Sequence, residues 1–245
     1  MKVLKWIGLI LLAIIVCGVL FVAITNEKEP EGYGGSEADE LAMKMMNALN
    51  KDAWDALPYV QFSFRGNHHY RWDKKNNIAE IVWGDKRVVM QLDSKEAKVF
   101  EEQAPVLDEH YRNSIINEAW KLWCNDSFWF YAPFKAFDAG TERSIVDVDG
   151  KQALKVTYKS GGTTPGDVYL WNLDSNYRPT SWKMWTSILP KKGFETTWEK
   201  WIELPGGAQV ATLHSSAIIT LELTMIKAGN SLGELNWDNE TFNYN

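Results

Sequence analysis

Residues 60–72 alternate between apolar and polar side chains. The even positions are apolar or aromatic except Gly66 and His68, and the odd positions are all polar. Because successive side chains of a β-strand point to opposite faces, the pattern predicts a strand with one buried and one solvated face. A strand over these positions would be about 43 Å long, which is well beyond the usual length. We therefore expect a strongly curved sheet with a kink or bulge at Gly66.

Shorter alternating segments follow, and polar turns separate them. The pair Asp149-Gly150 is typical of a tight hairpin, and the triplet Pro205-Gly206-Gly207 is typical of a longer turn. Together these segments predict about ten or eleven antiparallel strands. Besides 60–72 and the hairpin around Asp149-Gly150, the predicted strands are 78–83, 87–92, 96–101, 168–173, 180–188, 194–203, 208–213 and 217–227.

Two segments have the periodicity of amphipathic helices. Leu41, Met45 and Leu49 recur at helical spacing and predict a helix over 37–50, and apolar residues at three- and four-residue steps predict another over 106–123. Two helices cover only part of a sheet that has one apolar face. The predicted fold class is mainly β (α+β): a curved antiparallel sheet forming a half-barrel, partly covered by two helices, with an apolar concavity left open.

The segment 6–24 has no charged or strongly polar side chain. As a helix it would span about 28 Å, close to the hydrocarbon thickness of a bilayer. Lys2 and Lys5 precede it and mainly acidic residues follow it, which places the N-terminus inside the cell. A cleaved signal peptide and lipidation at Cys17 both lack a good small-residue processing site. We therefore predict a transmembrane signal anchor at 1–25, a single pass through the cytoplasmic membrane and a periplasmic main domain.

The rest of the chain divides by composition. Residues 26–35 are rich in Gly and Glu and predict a tether, 36–228 form the predicted half-barrel domain, and 229–245 form a polar C-terminal tail. Cys124 is the one thiol after the anchor. Since it has no partner for a disulfide, we expect a packed thiol beside Trp123.

Composition and motifs argue against several function classes. The net charge is −6, whereas nucleic-acid binding needs a basic face. The sequence contains no phosphate-binding loop, no Gly-x-Ser-x-Gly elbow and no His-Glu-x-x-His motif. His68 and His69 are adjacent in a predicted strand, so they point to opposite faces and cannot share a metal ion. We predict no cofactor, no metal, no nucleic-acid partner and no enzymatic activity.

The pattern resembles the superfamily of periplasmic lipoprotein-localisation carriers and outer-membrane lipoprotein receptors. The resemblance lies in an early helix, the long strand pattern over 59–72, the meander 78–100, an inserted helix, and the late strands on either side of residues 174–179. The segments 126–135 and 163–167 look like motifs of an uncharacterised exported-domain family within it. The resemblance covers most of 36–227 and implies a half-barrel that holds acyl chains or another apolar moiety in its concavity. The chain differs from the soluble carriers in its predicted anchor, and from the receptors in lacking a good lipidation site.

These expectations predict a membrane-associated domain that binds a lipid or acyl chain in its concavity. The sequence contains 13 Trp residues, and many of them fall on or near the late strands. The predicted ligand-binding residues are those expected on the concave face: Met45, Phe62, Phe64, Trp72, Trp129, Trp182, Met184 and Trp198.

Two alternative functions remain open at this level. Trp185 and Trp201 fall on mainly polar strand faces, where exposed indoles would bind a glycan or an envelope protein partner. Asp126 and Asp138 flank an aromatic segment, and two carboxylates across a cleft are what a glycoside hydrolase needs. Most Asp residues at such positions cap helices or form turns, so the hydrolase is the weaker alternative.

Overall fold

The computed structural model describes residues 5–7, 9–12, 16 and 24–242. Four helices lie in the part from 26 onward: α1 (Ser36–Ala48), α2 (Lys51–Ala56), α3 (Glu109–Tyr131) and α4 (Leu232–Leu235), with 3-10 turns at Ala132–Lys135, Pro205–Gly207 and Asn239–Phe242. The strands are β1 (Tyr59–Phe64), β2 (His68–Asp73), β3 (Ile78–Trp83), β4 (Lys86–Gln91), β5 (Ala97–Glu101), β6 (Ala104–Pro105), β7 (Thr141–Val148), β8 (Lys151–Tyr158), β9 (Val168–Leu173), β10 (Pro179–Trp185), β11 (Phe194–Thr197), β12 (Glu199–Glu203), β13 (Gln209–Ser215) and β14 (Thr220–Gly229).

The strands form two antiparallel sheets. One has nine strands in the order β12-β13-β14-β1-β2-β3-β4-β5-β6, and the other has five in the order β11-β10-β9-β8-β7. The larger sheet is curved and does not close on itself. The predicted mainly antiparallel, curved architecture is confirmed, but the described residues contain 14 strands in two sheets rather than ten or eleven in one.

The predicted single strand over 60–72 is wrong. Arg65 and Gly66 have φ of 52° and 73°, and the chain reverses there to form the hairpin of β1 and β2. Phe64 pairs with His68 and Phe62 with Tyr70, so even-numbered residues lie opposite even-numbered residues. A loop of three residues keeps the alternation in phase across the turn, and the sequence pattern therefore looks like one long strand.

The predicted strand over 194–203 is divided between the two sheets. Residues before Trp198 pair with β10, and residues after it pair with β13. The backbone N–H of Trp198 donates to the carbonyl of Thr180 at 2.8 Å. Because one continuous piece of chain supplies β11 and β12, the two sheets share this corner.

Each sheet buries its inner face under a helix. The predicted helix 37–50 is confirmed as α1, which packs on the five-stranded sheet through Ala38, Leu41, Ala42 and Met45. The second predicted helix is confirmed as α3, which continues to Tyr131 rather than ending at 123. It covers the nine-stranded sheet through Ile115, Ala119, Trp123 and Phe130.

Residues 26–33 and the segment after β14 each cover the outer face of one sheet. Residues 26–33 cross the five-stranded sheet, where Trp185 Nε1 donates to the carbonyl of Glu27 at 2.9 Å and Tyr33 forms an antiparallel bridge with Ile145. After β14, Leu235, Trp237 and Phe242 form a small buried cluster. Trp237 Nε1 donates to Gln61 Oε1 at 3.1 Å, which holds this segment against β1.

The predicted signal anchor is not supported. Among residues 5–7, 9–12, 16 and 24–242, no helix is long and apolar enough to cross a bilayer. The remaining residues of the predicted segment 6–24 lie outside the described residues. On this finding the predicted localisation, a single pass through the cytoplasmic membrane by way of 6–24, is wrong.

Candidate functional site

A cavity of about 720 Å³ lies between the C-terminal half of α3, the inner face of the five-stranded sheet and two loops. The loops are residues 159–167, between β8 and β9, and residues 186–189, after β10. Ile188 stands at the mouth and is 61% exposed. The volume lies within the range of about 300–1,000 Å³ that small-molecule sites occupy.

Aromatic side chains form the wall of the cavity. The ring of Tyr169 lies 4.7 Å from Trp182 and 4.9 Å from Phe128, and Phe128 lies 5.4 Å from Tyr158, all between centroids. Phe128 comes from α3, whereas the other three come from β8, β9 and β10. Such tilted and edge-on contacts are favourable for aromatic rings and hold them in place. The wall is therefore preformed, apolar and supplied by four different elements.

Two side chains of the cavity lining are polar and buried. Asp167 and Thr186 are only 5% and 2% exposed. Asp167 Oδ2 accepts from Thr164 Oγ1 at 2.5 Å, and Oδ1 accepts from the backbone N–H of Ser187 at 3.2 Å. Burial raises the pKa of Asp167, because a carboxylate in a low-dielectric site loses solvation.

The mouth of the cavity is polar and rich in glycine. Gly161 and Gly162 line it with φ of 87° and 62°, a left-handed conformation that other residues adopt only at a cost. Lys135 lies 5.1 Å from the ring centroid of Tyr131 and pairs with Asp138. A charged rim around an apolar interior suits an amphipathic ligand, whose polar part stays near water.

Cys124 also lines the cavity. The thiol is half-buried and free of a disulfide, and burial raises its pKa to about 11. Since the thiolate is the reactive form, this cysteine is a poor nucleophile at neutral pH. It contributes apolar surface to the site.

The structure brings three of the sequence-predicted ligand residues to the cavity. Trp129, Trp182 and Met184 line it. The other five lie in the two hydrophobic cores under the helices and do not line it. These are Met45, Phe62, Phe64, Trp72 and Trp198, each at most 8% exposed.

Several lining residues were not predicted from the sequence. Tyr158 and Tyr169 could have been predicted from strand alternation. Tyr158 lies on the same face of its strand as Leu154, and Tyr169 lies on the same face as Trp171, and both of these residues point inward. Phe128 lies beyond the point where the second predicted helix ends. Asp167 and Thr186 lie in loops without periodicity, so no sequence signal indicates that they are buried.

The pair of exposed tryptophans predicted for glycan or partner binding is not formed. Trp185 is 9% exposed and packs with Val168 and Leu170 under the segment 26–33. Trp201 is half-buried, and its Nε1 donates to the carbonyl of Trp198 at 3.2 Å. Trp185 was expected to be exposed because its strand face is mainly polar. It is buried because residues 26–33 cover this face.

The two carboxylates of the predicted hydrolase site have separate environments. Asp126 is 1% exposed, and its Oδ2 accepts from Tyr70 OH at 2.5 Å and lies 2.6 Å from His68 Nδ1. Asp138 is exposed at the cavity mouth, where it pairs with Lys135. Asp126 does not line the cavity, so the two groups do not face each other across it as a glycosidase pair would.

Comparisons with known proteins give weak structural likenesses. The sequence matches no protein-family model and no curated protein. A DUF1329 family protein from Desulfovibrio piger superposes with a TM-score of 0.40 at 9% identity, over 84% of this chain and 98% of that chain. A putative outer membrane lipoprotein-sorting protein domain from Vibrio parahaemolyticus gives a TM-score of 0.36 at 8% identity, over 85% and 97%. At these scores neither likeness carries an argument about function.

Proposed function

We propose that this protein binds an apolar ligand, a lipid or acyl chain, in the cavity beside α3. The observation that carries the proposal is a preformed space of about 720 Å³ bounded by Phe128, Tyr158, Tyr169 and Trp182. Large exposed apolar surfaces are costly in water unless they have a use. Filling this space with methylene groups would remove apolar surface of both the ligand and the cavity wall from water. Each Å² of apolar surface buried in this way stabilises the complex by about 25 cal/mol.

The proposed role is binding without catalysis. The thiol of Cys124 in the cavity has its pKa raised to about 11, and the buried carboxylate of Asp167 already accepts hydrogen bonds from Thr164 and Ser187. Activated nucleophiles are instead paired with a general base within hydrogen-bond reach. These side chains are suited to holding a ligand in one orientation.

The proposal predicts that removing part of the aromatic wall weakens binding. Dodecanol serves as an uncharged probe, titrated calorimetrically below its solubility limit. Phe128→Ala should weaken its binding about tenfold, because a large apolar contact is lost on a wall that stays otherwise intact.

The matched control is Phe100→Ala. Phe100 is also half-buried, but it lies on β5 and does not line the cavity. Binding should be unchanged in this variant. Equal weakening by both substitutions would show that the effect comes from general destabilisation and would contradict the proposed site.

A second pair of variants adds a large side chain instead of removing one, and so tests whether the ligand needs the free space of the cavity. Leu189 lines the cavity near its mouth, so Leu189→Trp should occupy part of the space and exclude the probe. Ile202→Trp adds the same indole on β12, at a position that does not line the cavity, and should leave binding intact. Retained binding in Leu189→Trp would count against this cavity.

A further inference from the structure

The cavity lining includes a buried carboxylate that forms no ion pair with the described residues. Asp167 takes part in none of the ion pairs formed within the described part of the chain. The positive charge of Lys192 partly offsets the rise in the pKa of Asp167, but its ammonium donates to the carbonyls of Thr186 and Leu189. Buried charges are normally paired, because losing solvation without compensation is expensive.

The hydrogen-bonding capacity of this carboxylate is not used up. It accepts from Thr164 Oγ1 at 2.5 Å and from Ser187 N–H at 3.2 Å, and the hydroxyl of Tyr169 lies at 3.5 Å, the limit of a hydrogen bond. A carboxylate offers about four lone-pair positions. At least one position is therefore open to a further donor.

A neighbouring hydroxyl has no partner. Thr186 lines the cavity, and its Oγ1 is buried without a hydrogen-bond partner. Thr186 directly precedes Ser187, which donates to Asp167, so this hydroxyl and the carboxylate belong to one part of the wall. A buried polar atom without a partner costs about 1–3 kcal/mol, and in a native protein such an atom calls for an explanation.

We propose that Asp167 and Thr186 bind the ammonium group of a long-chain primary amine, with the alkyl chain against the aromatic wall of the cavity. This inference rests on the proposed function and names the ligand class. An ammonium group has three donors, which suit the open position on Asp167 and the hydroxyl of Thr186. The rings of Tyr169 and Trp182 also line the cavity, and aromatic faces attract cations.

A carboxylate headgroup fits the wall at Asp167 poorly. It offers only acceptors and would bring a second negative charge to Asp167. An alcohol supplies one donor and no charge, so it should rank between the two. Lys121 and Lys135 also line the cavity, and Lys135 is paired with Asp138. The amine offers Asp167 donors and a positive charge, the alcohol offers one donor, and the carboxylate offers neither. The predicted order of affinity is therefore amine, then alcohol, then carboxylate.

The test compares three ligands of equal chain length: dodecylamine, dodecanol and dodecanoate. Each is titrated calorimetrically into the full-length protein at neutral pH, at concentrations where the ligand is monomeric. Dodecylamine should bind at least about tenfold more tightly than dodecanoate, as expected for a charge-assisted hydrogen bond in a covered site. Asp167→Asn should reduce this advantage to about twofold or less.

Two further variants separate recognition from folding. Asp138→Asn removes a carboxylate at the mouth and should keep the preference for the amine. Thr186→Val removes the unpartnered hydroxyl, so it should raise the midpoint of thermal unfolding and yet weaken amine binding. A variant that is more stable and binds the amine less well cannot be explained by misfolding.

The outcomes distinguish the two proposals. If all three ligands bind with similar affinity, or if Asp167→Asn keeps the preference for the amine, the ammonium site is overturned while apolar ligand binding stands. If dodecanol and the charged ligands all fail to bind, the proposed function falls, and the ammonium site falls with it. A preference for the amine that Asp167→Asn abolishes supports both.

Discussion

At the scale of single residues, His214 gives the fold a stability that depends on pH. Its ring is fully buried, with its centroid 4.3 Å from that of Trp198 and 5.2 Å from that of Trp129. Nδ1 lies 3.1 Å from the carbonyl of Thr197, and Nε2 has no hydrogen-bond partner. Burial lowers the pKa of His214 to about 4, because the imidazolium would lose its solvation there.

The unfolding free energy should therefore fall as the pH is lowered. The unfolded chain binds a proton at His214 near pH 6.5, whereas the folded chain binds it only near pH 4. Between these values the unfolded state holds more protons, so acidification favours it, by up to about 3 kcal/mol. Urea unfolding at about pH 7 and about pH 4.5 measures the difference.

Two phenylalanine variants isolate the contribution of this histidine. His214→Phe removes the titrating group and should flatten the pH dependence, whatever its effect on stability at neutral pH. His110→Phe, at an exposed position, should leave the dependence as in the parent protein. The same steep dependence in His214→Phe would show that other groups are responsible.

At the scale of elements, the turn between β1 and β2 requires a glycine. Gly66 has φ of 73°, and a Cβ there would meet no neighbour within 4 Å, so only the backbone conformation opposes substitution. Gly66→Ala should lower the unfolding free energy by about 1 kcal/mol, as measured by urea unfolding.

Gly233 provides the matched control for this turn. It lies in α4, where a Cβ also meets open space and alanine is the better helix former. Gly233→Ala should therefore be neutral or slightly stabilising. If Gly66→Ala were neutral too, residues 60–72 would fit the continuous strand of the sequence prediction better than the hairpin.

A buried hydrogen bond joins α3 to the nine-stranded sheet. Tyr70 OH on β2 donates to Asp126 on α3 at 2.5 Å, and burial raises the pKa of Tyr70 far above its ordinary value. Tyr70→Phe should lower the unfolding free energy by about 1–3 kcal/mol, because the buried carboxylate loses a donor.

An exposed pair of the same chemistry is the control. Tyr111 OH donates to Glu101 at 2.6 Å, and both residues are accessible to water. Tyr111→Phe should change stability by about 0.5 kcal/mol or less, since water replaces the lost bond. If both variants lost the same unfolding free energy, burial would not be the reason that the hydrogen bond between Tyr70 and Asp126 is strong.

Elements bounded by clear turns could be predicted from the sequence. The strands predicted at 78–83 and 168–173 are β3 and β9 without any change of bounds. The sequence pattern failed at two positions. The turn at Gly66 leaves the alternation of apolar and polar residues unbroken, so two strands look like one. Asp126 is a polar residue inside a helix, and the predicted helix ended before it. In both cases the deciding contact is tertiary: strand pairing at the first position, and the bonds to His68 and Tyr70 at the second.

At the scale of the whole molecule, the cavity arises because α3 does not cover the entire inner surface. One side of α3 packs on the nine-stranded sheet through Trp123 and Phe130, whereas Phe128 and Trp129 contact the core of the five-stranded sheet. Strand periodicity indicates the inner face but not which part of it a helix covers. Trp182 and Met184 line the cavity, and their role in ligand binding stays a prediction, whereas Phe62 and Trp72 lie beneath the helix.

The most direct test of the central claim is native mass spectrometry of the protein purified without detergent, then incubated with dodecylamine or dodecanol. We expect a saturable complex with one ligand per chain, or a co-purified apolar molecule that solvent extraction releases and that the added ligand displaces. Leu189→Trp should abolish the complex, and Ile202→Trp should retain it. A spectrum that shows only the mass of the chain, with no added ligand bound below its solubility limit, would contradict the account.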